Sequence, residues 1–255
     1  MLSDRPAFLQ LRLTVEVRVL NNGLEKIESY SFRYSSLESI TIPSNVDTLG
    51  INAFERCEDL VTVNFGNNSK IKTIRNNTFL NCTSLENIAI PSGVTSIGDN
   101  AFKGCTSLET ITIPASVTSI GKNAFEGCTN LKNIIFEGDK IATIQSNTFK
   151  GCSSLESIAI PDSVLSIGAN AFEGCTDLKT ISIPITINIT KDIFKDCENL
   201  ANLTLTKGTT GIGHDYSEGT YEYTPWNQST KTLKVTVSDG VTHIGTYTFY
   251  GCANL

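Results

Sequence analysis

The 255-residue sequence holds one methionine, one tryptophan and two histidines, and no long apolar run. Each scarcity excludes something. No stretch approaches the roughly 18 consecutive apolar residues of a membrane-spanning helix. The opening MLSDRPAF carries charges where a secretory leader would place its apolar segment, so the chain as written shows no export address. Basic residues number 20 against 26 acids, giving a net charge of −6 without charge runs. Such a surface is unsuited to a phosphate backbone, and nucleic acid is not an expected partner. There is no Gly-x-x-x-x-Gly-Lys-Ser/Thr, hence no phosphate loop of that type.

What the sequence has in abundance is itself. The fragment LENIAIPSGVTSIGDNAFKGCTS, from Leu85, recurs with starts at Leu37, Leu60, Leu108, Leu131, Leu155, Leu178, Leu200 and Thr232. Nine copies of about 23 residues therefore fill 37–254. The copies open on Leu-x-x-Ile-x-Ile or an apolar variant of it, as at Ile111 and Ile113, a period of two that predicts a short half-buried strand. Pro43, Pro91, Pro114, Pro161 and Pro184 follow at once and are expected to end it, since proline cannot donate to a ladder. Val-x-x-Ile-Gly predicts a second short extended segment, with Gly98, Gly121 and Gly168 permitting a bend. Asn100, Asn123, Asn147 and Asn170 stand two residues before a phenylalanine, where an amide oxygen would cap a one-turn helix carrying Phe and Cys inward. A unit with one apolar face must stack on its copies. The expected fold is a β-rich solenoid with short parallel strands, second extended segments and one-turn helices.

All eight cysteines (Cys57, Cys82, Cys105, Cys128, Cys152, Cys175, Cys197, Cys252) occupy one column of that stack. Equivalent side chains on successive coils point the same way, whereas a disulfide needs Cβ vectors turned towards each other. Zinc needs ligands converging from several directions, and His214 and His243 lie outside the column. The expectation is buried, reduced thiols, with no metal and no cofactor.

The order Leu-x-x-Ile-x-Ile-Pro, Val-Thr-Ser-Ile-Gly, Asn-Ala-Phe-x-Gly-Cys resembles the leucine-rich repeats of the BspA-like type. The resemblance implies a right-handed coil. It also implies a family found on surfaces of oral and gut bacteria and in mucosal protozoan parasites, with members that adhere to host cells and extracellular proteins. A cell-surface or secreted place follows from it; the absence of a leader in the given residues leaves the cytoplasm as the alternative.

Residues 1–36 are expected to form an N-terminal cap, a strand (Leu9, Leu11, Leu13, Val15 and Val17 on one face) followed by a degenerate repeat near Tyr30–Phe32, ahead of a solenoid at 37–255. Leu255 stands where a tenth copy would begin, which suggests a truncated end. The copy at Leu200 carries an insertion at about 214–224, with His214, Tyr216, Tyr221 and Tyr223 beside Trp226. Aromatics with polar tips are enriched at binding hot spots, and long loops on rigid scaffolds often carry function. The plainer reading puts Trp226 in the phenylalanine place of the core, with the tyrosines folded over a widened coil. His214, Asp215 and Ser217 lie too close along the chain to arrange themselves as a hydrolase triad. No enzyme is expected.

Between the two apolar strand positions runs Thr41, Asn64, Ala89, Thr112, Ile135, Ala159, Ser182, Thr204, Thr236, a largely small and neutral strip that could receive a protein or a glycan. The expected function is non-catalytic protein binding, as an adhesin or host-interaction module. Its candidate site is the His214–Trp226 excursion together with Ser182 and Thr204. The alternatives are an intracellular scaffold, or the repeat arm of a larger protein with a separate catalytic domain.

Overall fold

The computed structural model describes residues 15–18, 23–184, 188–189, 192–206, 230–242, 244, 249 and 252–255. One strand column consists of β1 (Val15–Arg18), β3 (Leu37–Ile42), β5 (Thr62–Phe65), β7 (Asn87–Ile88), β9 (Thr110–Ile113), β11 (Asn133–Phe136), β13 (Ser157–Ala159), β15 (Thr180–Pro184), β17 (Asn202–Thr206) and β18 (Lys234–Val237). A second column of two-residue strands consists of β2 (Lys26–Ile27), β4 (Thr48–Leu49), β6 (Thr73–Ile74), β8 (Ser96–Ile97), β10 (Ser119–Ile120), β12 (Thr143–Ile144), β14 (Ser166–Ile167) and β16 (Asn188–Ile189). Every recorded pairing is parallel, as in Ile111 with Ile134, or Ile181 with Leu203 and Leu203 with Val235. Parallel neighbours need a crossover. Here one full coil supplies it, so the chain is a parallel β-solenoid.

Isoleucine alternation does what its period implies: Ile111 and Ile113 face a closed interior, while Thr110 and Thr112 remain partly exposed. Pro43, Pro91, Pro114 and Pro161 each follow the end of a strand, and their carbonyls accept the N–H of Val46, Val94, Val117 and Val164 to close tight turns. Pro184 departs from that expectation. It closes β15 inside the ladder, in register with Thr206, because the last place of a strand needs no donor from it.

The third side of each coil corrects the expected helix. Among the described residues it is a run of turns, with no helical segment. Asn100, Asn123, Asn147 and Asn170 lie in the left-handed region at φ 53, 56, 58 and 58°, and Gly104, Gly127, Gly151 and Gly174 follow at 72 to 74°. Asparagine and glycine are the residues that enter this region at least cost. The amides do not cap. The Asn100 side-chain amide donates to Asn77 at 3.0 Å, Asn123 to Asn100 at 3.0 Å and Asn147 to Asn123 at 2.9 Å, so the asparagines form a ladder along the stack. Gly98 and Gly121 serve close approach rather than a left-handed bend. A Cβ built on Gly98 would lie 2.6 Å from the backbone nitrogen of Asn76, and one on Gly121 2.4 Å from that of Asp99.

Inside, Phe32, Phe54, Phe79, Phe102, Phe125, Phe149, Phe172 and Phe194 stack in one column, with ring centroids 5.1 to 5.6 Å apart. Among the described residues the rings mark eight coils; the first, at Phe32, belongs to the degenerate repeat, so seven of the nine expected copies carry a stacked ring. The copy from Leu200, with Trp226 in its phenylalanine place, runs into 207–229, outside the described residues. Beside the rings runs the cysteine column, with none of its eight thiols in a disulfide. Seven are fully enclosed, whereas Cys252 is only partly buried, against the expectation for the whole column. Each enclosed thiol donates to the carbonyl of the phenylalanine one coil back, from Cys57 to Phe32 at 2.9 Å through Cys197 to Phe172 at 3.1 Å. Burial raises these thiols, Cys128 and Cys197 to about 12. A buried neutral thiol is a small apolar group with one weak donor, and here the donor is used.

Candidate binding face

The strand column presents its small side chains outward because every second residue is held in the core. Thr41, Asn64, Ala89, Ile135, Ala159 and Thr236 are exposed; Thr112, Ser182 and Thr204 are half-buried. Register places Thr41 beside Asn64, Thr112 beside Ile135, Ala159 beside Ser182, and Ser182 beside Thr204. Two of the expected site residues are thus adjacent. His214, Tyr216, Tyr221, Tyr223 and Trp226 lie outside the described residues, as does half of the expected N-terminal cap.

The strip carries little charge of its own. Along its edge, Lys132 pairs with Glu109 at 3.3 Å and Lys179 with Glu156 at 3.4 Å, all four side chains more than half exposed. Exposed pairs of this kind contribute about 0 to 1 kcal/mol and mainly keep the edge electrically balanced. On the turn side, Glu173 bridges Lys150 at 2.8 Å and Lys195 at 3.2 Å. The hydrogen bond from Lys150 is the chief reason its carboxyl lies below the usual range.

The strip is not flat throughout. β7 is two residues long, whereas β5 and β9 on either side have four, and the ladder lapses at Ala89. A depression of about 430 Å³ opens there, walled by Asn64, Phe65, Asn67, Asn68, Asn87 and Ser92. A second of about 490 Å³ adjoins it across Ala89 towards Thr112 and Glu137. Their walls are mostly amides, hydroxyls and short apolar groups. Sequence reasoning missed this feature, although the signal was present: the copy at Leu60 is two residues longer than its neighbours, and the excess falls in Gly66–Ser69.

No group of three or more His, Cys, Asp or Glu among the described residues is arranged to hold a metal. No helix among them is long and apolar enough to cross a membrane.

The sequence pattern described as "BspA type leucine rich repeat region (6 copies)" matches residues 7–132 and 223–255, more than half of the chain. Comparison with curated proteins finds no match. Among solved structures, a leucine-rich repeat protein from Bacteroides ovatus is similar at 27% identity, over 94% of this chain and 73% of that one, with a TM-score of 0.58. The leucine-rich repeat protein of T. pallidum is similar at 28% identity, over 64% of this chain and 77% of its own, with a TM-score of 0.60. One from Eubacterium ventriosum follows at 25% identity and a TM-score of 0.51, over 73% and 59% of the two chains.

Proposed function

Because the chain belongs to the BspA-type leucine-rich repeat family, we propose that it is a non-catalytic binding module of a cell surface, docking a host or neighbouring-cell protein on its outer strand strip. The observation that carries this reading is the strip itself, a row of mostly short, uncharged side chains from Thr41 to Thr204 on a strand column whose recorded pairings are all parallel. Short side chains have little rotamer freedom to lose when a partner lands on them, so the row is preorganised. The depression at Ala89 gives one part of the strip relief in which a protruding side chain of the ligand is held. His214, Tyr216, Tyr221, Tyr223 and Trp226, with Ser182 and Thr204, are proposed as a second part of the same contact. A glycan on the ligand would suit the amide and hydroxyl lining equally.

Reduced thiols do not separate this reading from an intracellular scaffold. A thiol that is enclosed, hydrogen-bonded and raised by burial resists oxidation in either compartment. Location is therefore tested directly. An antibody against the purified chain should label intact cells of the producing organism, and the purified chain should bind host epithelial layers saturably, less so with Ala89→Arg. Labelling only after permeabilisation would assign the intracellular scaffold instead.

A further inference from the structure

The left-handed places of the turn column hold asparagine or glycine in the central coils. In the first two coils three of the four places hold something else, Asn52 being the exception. Tyr30 takes the asparagine place at φ 64°, Tyr34 the glycine place at 61°, and Arg56 the glycine place of the next coil at 57°. Bulky side chains are outliers in this region, and the backbone gains nothing from them. Nor does the core, since Tyr30 is 54% exposed, Tyr34 58% exposed, and Arg56 is exposed as well.

The exposed groups are ordered nonetheless. The Glu55 carboxylate accepts two bonds from Arg33, at 2.9 and 3.1 Å, and its second oxygen also accepts from the Asn52 amide. Arg33 is thereby fixed, 4.7 Å from the centre of the Tyr34 ring and 5.4 Å from that of Tyr30. Arg56 lies 5.8 Å from the Tyr34 centroid, and among the described residues no carboxylate is paired with it. Ile51, 41% exposed, adjoins through its carbonyl, which accepts the Tyr30 N–H. Tyrosine and arginine are the residue types that dominate binding hot spots, and a guanidinium held over an aromatic ring keeps its planar fork free for a carboxylate.

We propose that Tyr30, Tyr34, Ile51 and Arg56 form an interaction surface, on the turn side and off the strand strip, that receives an acidic segment of a partner protein. A carboxylate seats on Arg56, and an apolar neighbour packs on the tyrosine rings and Ile51. Charge argues for this occupant. The chain carries −6 overall, so an acidic segment is repelled by most of its surface and collected where an unpaired arginine stands.

The test is to pan a random peptide phage library against the native chain, then measure the selected peptides on the variant Tyr30→Asn, Tyr34→Gly, Arg56→Gly, which restores the residues of the central coils. Enriched peptides should be rich in Asp and Glu, bind the triple variant and Arg56→Lys at least about tenfold more weakly, and bind Ala89→Arg unchanged. The triple variant should also melt higher than the native chain, because three strained residues have been relieved. Peptides no more acidic than the library, undiminished binding to the triple variant, or loss through Ala89→Arg alone would each overturn the surface. So would selection that enriches nothing while an array of carboxylated glycans binds. A triple variant that melts lower would make these residues structural.

Discussion

The thiol of Cys128 donates to the carbonyl oxygen of Phe102, one coil back, across 3.2 Å. The same oxygen accepts the backbone N–H of Cys105 at 3.1 Å, so both of its lone pairs are used. The arrangement repeats from Cys82 to Cys197 and accounts for the constant Phe-x-x-Cys spacing. It also keeps each sulfur on a carbonyl rather than on another sulfur. In native protein the seven enclosed cysteines should therefore resist iodoacetamide, with Cys252 reacting first. Unfolding without reductant should then release eight titratable thiols; a smaller number would reveal bridges and break the column.

Alkali should unfold this protein earlier than its other groups suggest. An unfolded thiol ionises near pH 8.5, whereas burial holds Cys128 and Cys197 to about 12 and Cys82, Cys105, Cys152 and Cys175 well above the ordinary value. Between those limits the folded state keeps protons that the unfolded state has lost, so stability falls as pH rises. It is complete below about pH 8.5, and each thiol then removes up to about 1.4 kcal/mol per pH unit. Melting temperature should drop steeply from pH 8.5 to 10. A Cys128→Ala, Cys152→Ala double variant, less stable throughout, should show a shallower slope; a native melting temperature flat to pH 10 would refute the linkage.

Phe125 is enclosed between Phe102 and Phe149, with centroids at 5.3 and 5.6 Å. Phe125→Ala should cost about 3 to 5 kcal/mol through the cavity it leaves, and Phe125→Leu clearly less. Chemical denaturation followed by circular dichroism measures both, and a loss under about 1 kcal/mol for alanine would contradict an inward-facing column.

Asn123 sits at φ 56° and joins Asn100 to Asn147 through its amide. Asn123→Ala should lose both bonds and strain the backbone, at about 2 to 3 kcal/mol in all. Asn123→Gly loses the same bonds without the strain and should retain about 1 kcal/mol more. Equal losses would remove the left-handed conformation as a cause.

The repeat, the strand face and the inward Phe and Cys were legible because each depends on spacing along the chain, and the chain states that spacing many times over. The left-handed asparagines were not. Their conformation is set by the coil above and below, and an Asn two residues before a buried Phe reads equally well as a helix cap. The thiol donors were hidden for the same reason, since their acceptors lie about one coil away in sequence. The strip at Ser182 and Thr204 was legible through strand alternation, whereas the depression at Ala89 depends on where the ladder lapses. The aromatic surface was half visible: Tyr30 and Phe32 marked a degenerate repeat, but only the backbone shows that Tyr30 and Tyr34 occupy places made for Asn and Gly.

Two regions are proposed for the main ligand, and substitutions can separate them. Ala89 is exposed at the floor between the two depressions, so Ala89→Arg fills both and should change stability by about 0.5 kcal/mol or less. Tyr221→Ala and Tyr223→Ala remove aromatic area from the excursion without touching the strip. If the ligand spans both regions, each change should weaken binding to epithelial layers by more than about 1 kcal/mol, roughly fivefold or more, with the melting temperature nearly unchanged. Trp226→Ala is the poorer probe, because the phenylalanine place it takes is a core place in the other coils. The decisive comparison replaces residues 214–224 with the two-residue Asp-Asn linker found at Asp99 and Asn100. A shortened protein that folds and binds at full strength, while Ala89→Arg does not, would assign the ligand to the strip alone; the opposite pair of results would assign it to the excursion.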